Sequence, residues 1–254
     1  MDLAASLLGQ HLAVVLYRPK YAENVGAVAR ACLNTGCERI ILVDPRDFDQ
    51  KQALPLATVH AAHLLKQAIH VPDLPRALSG FTQVYGTTAR LGGWRRHLLS
   101  PAQAAANIAR QMHDGHDVAL LFGPEDRGLG NAQIETCSHL VHIPTARMGV
   151  SLNLAQAVLI LLYECLLAAS KASGAGTAPT SRHVTHAEQE VLFDLLKQTL
   201  TAIDFIKDDN PDYWMLRVRR LVQRMDLRRE EFNVLMGVCR QVGWAVQRRK
   251  TEDG

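Results

Sequence analysis

Val118-Ala119-Leu120-Leu121-Phe122-Gly123-Pro124-Glu125-Asp126-Arg127-Gly128-Leu129 reads as a strand that runs straight into a glycine-bounded polar loop. Its five apolar residues are continuous rather than alternating, which is the pattern of a strand covered on both faces in a parallel sheet. Gly123 and Gly128 allow a backbone to approach a ligand closely, and Glu125 sets a carboxylate between them. Working outward, residues 11–17, 39–43, 82–87 and 139–143 are β-rich runs of the same mostly continuous kind. Helical patterns lie between the runs, at about 25–35, 55–67, 101–112 and 152–169. This alternation predicts an α/β domain, mostly parallel, with crossover helices on both faces of the sheet. Ligands bind beyond the carboxyl ends of such strands. The segments Gly86-Thr87-Thr88-Ala89-Arg90, Gly123-Pro124-Glu125 and Pro144-Thr145 are therefore expected to meet at one sheet edge.

Composition narrows the class. The chain has 254 residues, enough for one large domain or one with a small appendage, and 48% hydrophobic residues supply a core. A net charge of +3 does not by itself point to nucleic acid, so the distribution of charge matters more. Arg217, Arg219, Arg220, Arg224, Arg228 and Arg229 cluster late, and Arg248, Arg249 and Lys250 follow. They read equally as solvated helix faces or as a phosphate footprint. The five cysteines, Cys32, Cys37, Cys137, Cys165 and Cys239, are odd in number and form no C-x-x-C pair, which speaks against a disulfide framework and a zinc site. Met1-Asp2-Leu3 lacks the basic opening of a secretory signal. The apolar stretch 157–169 is short for a bilayer and carries Glu164. The expectation is a reducing, cytoplasmic setting with no membrane role and no metal.

The composition changes at 170–181, a small-residue and polar stretch typical of a linker. The chain thus divides into a domain at 1–169, a flexible linker at 170–184 and a helical extension at 185–254. In the extension, Thr185 and Glu188 form a capping-box pattern. Leu192, Leu195, Leu196, Thr199, Ile203 and Ile206 make one apolar stripe until Asp208-Asp209-Asn210-Pro211 breaks the helix. Two further helices are expected at about 212–225 and 228–247.

The chemistry sits in three segments. Beside the 122–129 loop stand Asn24-Val25-Gly26-Ala27-Val28-Ala29-Arg30 and Ile143-Pro144 followed by Ser151-Leu152-Asn153-Leu154-Ala155-Gln156-Ala157-Val158. No G-x-G-x-x-G follows the first strand and no P-loop or G-x-S-x-G elbow occurs, so dinucleotide and hydrolase readings lose their main support. With a helix starting near Val25, Asn24 is its N-cap. Arg30 interrupts a small-residue helix face that looks packed, where a charge needs a partner such as phosphate or ribose. Glu125 reads as a solvated loop carboxylate, a partner for Arg30 or a group facing a cation. Ser151 reads as a plain cap or an active-site hydroxyl. Arg90, Arg95 and Arg96, with Trp94, form a basic stretch with one aromatic, which is either a solvated loop or an RNA contact.

In order and spacing, these three segments resemble the motifs of the SPOUT superfamily of knotted RNA methyltransferases, over roughly residues 11–169 and more loosely the tail. They are most similar to its TrmJ-type branch, which methylates ribose 2′-hydroxyls in tRNA. The resemblance implies a C-terminal trefoil knot, S-adenosyl-L-methionine as methyl donor, and a homodimer whose active site uses both subunits. It implies that Thr87, Thr88, Ala89, Gly123, Glu125, Gly128, Ile143, Pro144, Ser151, Leu152 and Asn153 hold the cofactor. It assigns the chemistry to Asn24, Arg30, Glu125, Ser151 and Asn153, with Asn153 against Asn24 or the cofactor. Arg30 serves there as general base or as stabiliser of the forming oxyanion, and a guanidinium suits the second role better. RNA contacts fall to Arg30, Arg90, Arg95, Arg96, Arg217 and Arg220. The implied activity is tRNA 2′-O-methylation of cytidine or uridine at the start of the anticodon loop. An rRNA methyltransferase and a non-catalytic RNA-binding protein that kept the fold are the alternatives. The third loop departs from the pattern, because residues 145–150 lack the proline and acidic or aromatic residue of many relatives.

Overall fold

A computed structural model describes residues 3–46, 48–90, 98–146, 151–171, 181–206 and 211–252. The chain forms two compact units, Met1–Ala178 and Pro179–Gly254. In the first unit six strands make one sheet in the order β3-β2-β1-β5-β4-β6. They are β1 (Leu12–Tyr17), β2 (Arg39–Val43), β3 (Ile69–Val71), β4 (Gln83–Thr87), β5 (Val118–Phe122) and β6 (His139–Val141). All five strand pairs are parallel.

The continuous apolar runs are explained by a core on each face. Leu12, Val14 and Leu16 of β1 enter one apolar cluster, and Ala13 and Val15 enter the other. In β5 the same period of two separates Val118, Leu120 and Phe122 from Ala119 and Leu121. The first cluster is covered by α1 (Leu3–His11), α2 (Ala22–Thr35), α3 (Gln50–Gln67), α5 (Pro101–His113) and α7 (Leu154–Lys171). The second is covered by α4 (Leu74–Leu78) and α6 (Asn131–Glu135). β1 and β5 lie at the switch point where the chain, having built outward to β3, crosses to the other half of the sheet.

Several local expectations change. α2 starts at Ala22 with Tyr21 as its N-cap, so Asn24 lies inside the first turn and does not cap the helix. α3 starts at Gln50, where Asp49 accepts from the Lys51 N–H at 2.9 Å, rather than at Pro55. It is broken at Thr58, whose φ is 62°. α2 and α3 are packed closely enough that a Cβ on Gly26 would lie 1.9 Å from the Ala53 carbonyl oxygen. Ser170 and Lys171 belong to α7, with the Ser170 hydroxyl donating to the Leu166 carbonyl at 2.8 Å, so the expected linker does not begin there.

The second unit holds α8 (His186–Ala202), α9 (Pro211–Arg224) and α10 (Arg229–Glu252) around Leu192, Phe193, Met215, Val222 and Phe232. The Thr185–Glu188 capping box is present. The Val184 N–H donates to the Leu227 carbonyl and that of Arg229 to the Arg182 carbonyl, so residues 182–184 are fastened into this unit. α8 ends at Ala202, which leaves Ile203 46% exposed beyond the stripe. The breaker at 208–210 lies outside the described residues.

Candidate functional site

The carboxyl ends of β4, β5 and β6 and the loops beyond them enclose a cavity of about 550 Å³, the size of a small-molecule site. Thr87, Thr88, Ala89 and Arg90 line it from the first loop. Gly123, Glu125 and Gly128 line it from the second, and Ile143, Ser151 and Leu152 from the third. Phe122, Leu129 and Val141 add apolar wall. Pro144 is not among the lining residues, and residues 147–150 lie outside the described ones. The second loop is folded back on itself: the Gly128 N–H donates to the Pro124 carbonyl at 2.7 Å. A Cβ on Gly123 would fall 2.4 Å from the carbonyl carbon of Gly128, which itself sits at φ +63°. No side chain larger than hydrogen fits at 123 without opening the loop.

A second, more open groove adjoins the cavity at the β1–β5 switch point. Tyr21, Glu23, Asn24 and Asn153 line it, and it shares Glu125, Ser151 and Leu152 with the cavity. Three segments distant in sequence are tied together here by side-chain hydrogen bonds. Glu125 Oε1 accepts from Asn24 Nδ2 at 2.7 Å and Oε2 from the Lys20 N–H at 2.9 Å. Asn153 Nδ2 donates to Asn24 Oδ1 at 2.9 Å, and Asn153 Oδ1 accepts from the Ala155 N–H at 2.9 Å. The order is self-consistent, because an ionised carboxylate only accepts and so fixes which end of each amide donates. Asn153, not Ser151, thus caps α7. Glu125 is engaged by Asn24 and Lys20 rather than by Arg30.

Ser151 is exposed and makes no hydrogen bond among the described residues. It stands in the wall common to cavity and groove. Arg30 overturns the expectation of a packed charge: it is exposed, lines neither space, and has no hydrogen-bond or ion-pair partner among the described residues. Six residues beyond Asn24, it lies about 9 Å further along α2 and about 120° around its axis. Arg90 lines the cavity and its Nη2 donates to the Arg127 carbonyl at 3.2 Å. Arg95 and Arg96 lie outside the described residues. All five cysteines are buried free thiols, and burial pushes Cys137 up to about 12, far from a reactive thiolate.

In the second unit the arginine cluster splits by role. Arg219 makes two bonds to Glu190, at 2.6 and 2.8 Å, and stacks on Phe193. Arg228 Nη1 donates to the Ser181 carbonyl at 2.7 Å, and Arg229 pairs with Glu188. These three are engaged by partners within the unit. Arg217 is exposed over the rings of Tyr213 and Trp214, and Arg220 is half-buried.

The SpoU rRNA Methylase family model matches residues 11–163, which contain all six strands of the sheet and every member of the hydrogen-bonded chain. This chain belongs to the SpoU methylase family. A second model, the C-terminal domain of the tRNA methyltransferase TrmJ, matches residues 187–253. Within the SpoU family the chain is 35% identical over 234 residues to the tRNA (cytidine/uridine/adenosine-2′-O-)-methyltransferase TrmJ of Pseudomonas aeruginosa, covering 89% of this chain and 91% of that one. It is 32% identical over 238 residues to the tRNA (cytidine/uridine-2′-O-)-methyltransferase TrmJ of Klebsiella pneumoniae, covering 92% and 96%. Among solved structures, TrmJ from Z. mobilis ZM4 superposes with a TM-score of 0.76 at 30% identity, covering 91% of this chain and 98% of that one. The SpoU-family motifs thus account for the loops. Tyr21 and Glu23, which line the groove, and Lys20, whose N–H holds Glu125, are residues that motif reading missed. Their position directly after β1, at the same sheet edge as the other loops, was the available signal.

Proposed function

We propose that this chain is an S-adenosylmethionine-dependent tRNA ribose 2′-O-methyltransferase, acting on cytidine or uridine at the start of the anticodon loop. The observation that carries this reading is the shared wall of Glu125, Ser151 and Leu152 between a cavity and a more open groove. Methyl transfer needs such an arrangement, with donor and acceptor held in separate spaces that touch at one point. The cavity's size and mixed lining suit the cofactor: Ile143 and Leu152 offer an apolar slot, with Thr87, Thr88, Ala89, Gly123, Glu125, Gly128, Pro144, Ser151 and Asn153 in or beside the loops that hold it. When bound, S-adenosylmethionine supplies an electrophilic methyl on a sulfonium.

The chain's own residues position the acceptor and stabilise charge. Glu125 fixes Asn24, and Asn24 fixes Asn153, so the floor of the groove is preorganised before RNA arrives. Ser151, with its hydroxyl uncommitted among the described residues, stands where the ribose meets the cavity. Arg30 is assigned to charge stabilisation at the 2′-oxygen. Its exposed position, off both spaces in its own subunit, supports a homodimer in which it serves the neighbouring site. The outer face of α7 supports the same assembly: Leu159, Tyr163 and Leu167 recur at a spacing of four and are exposed, while Leu161, Leu162 and Cys165 face the core. α7 is also the one described helix long and apolar enough to cross a membrane by length and composition. Its inner face is part of the domain core, which favours the subunit interface. The trefoil knot, a cytoplasmic setting, and RNA contacts by Arg30, Arg90, Arg95, Arg96, Arg217 and Arg220 belong to the same proposal, which needs no metal.

Two measurements test it. Calorimetry without added metal should detect S-adenosylmethionine binding, which a non-catalytic RNA-binding descendant of the fold would not show. Mapping 2′-O-methyl groups in total RNA, with and without the protein, should find new sites in tRNA. New sites confined to rRNA would transfer the proposal to that substrate.

A further inference from the structure

We infer that Tyr21 is the stacking platform for the base of the nucleotide being methylated, a role that rests on the acceptor reading of the groove. Among the described residues lining that groove, Tyr21 is the only aromatic one, and it is 50% exposed. Its described neighbours there are the polar Glu23, Asn24, Glu125, Ser151 and Asn153 and the aliphatic Leu152, none of which carries a ring to stack on. A ribose presented at Ser151 carries its base with it, and an unstacked base needs a π-face to replace the one it left.

The ring is held for that purpose. As N-cap of α2, Tyr21 has its carbonyl accepting from the N–H groups of Asn24 and Val25, at 3.1 and 3.4 Å. The preceding Lys20 N–H is fixed by Glu125 Oε2 at 2.9 Å. The carboxylate that orients Asn24 thus also anchors the backbone carrying the ring, so the groove's polar floor and its aromatic wall are set together. Lys20 Nζ lies 5.6 Å from the ring centroid and 3.6 Å from Asp126 Oδ2. This puts an ammonium over one face of the ring, a cation–π contact that leaves the other face to a base. An aromatic platform of this kind gives affinity without reading a base edge, so it accepts more than one base.

The test uses the full-length protein and an RNA stem-loop containing the mapped site, with a fluorescent cytidine analogue at the acceptor position. The wild-type protein should quench the analogue. Tyr21→Ala should abolish the quench and raise KM for the RNA about tenfold, while kcat falls less and affinity for S-adenosylmethionine is unchanged. Tyr21→Phe should restore most of the quench and of the KM, because the ring and not the hydroxyl carries the interaction. An active wild type with Tyr21→Ala unchanged in KM would overturn the inference and leave the proposed function standing. Loss of cofactor binding or of the native oligomeric state in Tyr21→Ala would overturn it too, since the ring would then serve the fold or a subunit contact. A wild type that methylates no RNA would remove the acceptor reading itself.

Discussion

The cavity and the groove share a wall but are built by opposite means. The cavity is shaped by the strand-end loops, and within one of them Gly123 lies so close to Gly128 that no side chain fits. The groove is shaped by side chains from three distant segments, each oriented by the next. The contrast teaches where each half of the task is encoded. Cofactor affinity should tolerate most side-chain changes but not loop reshaping. Transfer should depend on single polar groups.

The sharpest way to break that contrast is at Arg30. Arg30→Ala should cut methyl transfer by about a hundredfold or more, the scale of losing one preorganised charge-stabilising group, with calorimetric cofactor affinity nearly unchanged. Arg30→Lys should recover little, because a point charge does not reproduce the guanidinium fork. Near-normal turnover in Arg30→Ala would show that the chemistry is housed elsewhere. The converse experiment is Gly123→Ala. The added methyl forces the second loop open, and cofactor affinity should fall about 10–100-fold, in line with overpacking a tight site. Thr88→Ala, on the same cavity wall, should change it by less than about threefold.

Glu125 tests the join between the two spaces. Gln at this position presents an NH₂ to either Asn24 Nδ2 or the Lys20 N–H, both donors, so one bond is lost and one donor is left unpaired. Single-turnover transfer should slow about tenfold, the scale of losing one hydrogen bond to a charged group. A larger loss of cofactor affinity than of transfer would place Glu125 with the cavity rather than the groove.

The smallest effect is expected in the second unit, where charged side chains serve the fold itself. Arg182 and Arg229 beside Glu188 hold its carboxyl down at about 2, chiefly through the Arg182 hydrogen bonds. A depressed carboxylate stabilises the folded state fully above its ordinary value and loses that contribution as pH falls toward 2. Melting of this unit should therefore drop between about pH 5 and 2. Glu188→Gln should remove about 2–5 °C at neutral pH and flatten the acid limb, a modest shift because the group is partly solvated. An unchanged acid limb would mean that other carboxylates set it.

Much of this was legible in the sequence because the signals were long or chemically distinctive. β2 and β5 show as continuous apolar runs, and the Thr185–Glu188 box marks the start of α8. β3, α4 and α6 were not legible: β3 is Ile-His-Val, its run interrupted by a polar residue, and the five residues of α4 and of α6 make little more than one helical turn. α1 escaped because its apolar residues run into those of β1. The loops lining the cavity were readable from glycines and strand ends. The wiring of the groove was not, because the choice of Glu125 partner depends on which side chains the fold brings within 3 Å. Tyr21 was missed for a related reason: a lone aromatic after a strand acquires meaning only from the open groove beside it.

The hydrogen-bonded chain from Lys20 through Glu125 and Asn24 to Asn153 spans separations of 105, 101 and 129 residues. On a ribosome extending at roughly 5–20 residues per second, Lys20 and Asn24 are made many seconds before Asn153 exists. The nascent polypeptide therefore passes through a long interval in which its first loop is complete but Asn24 lacks the partner that Asn153 will bring. A fragment released in that interval would lack the groove's floor. The groove's floor is closed only when Asn153, just ahead of α7, has joined Asn24, the last of the three links to be synthesised.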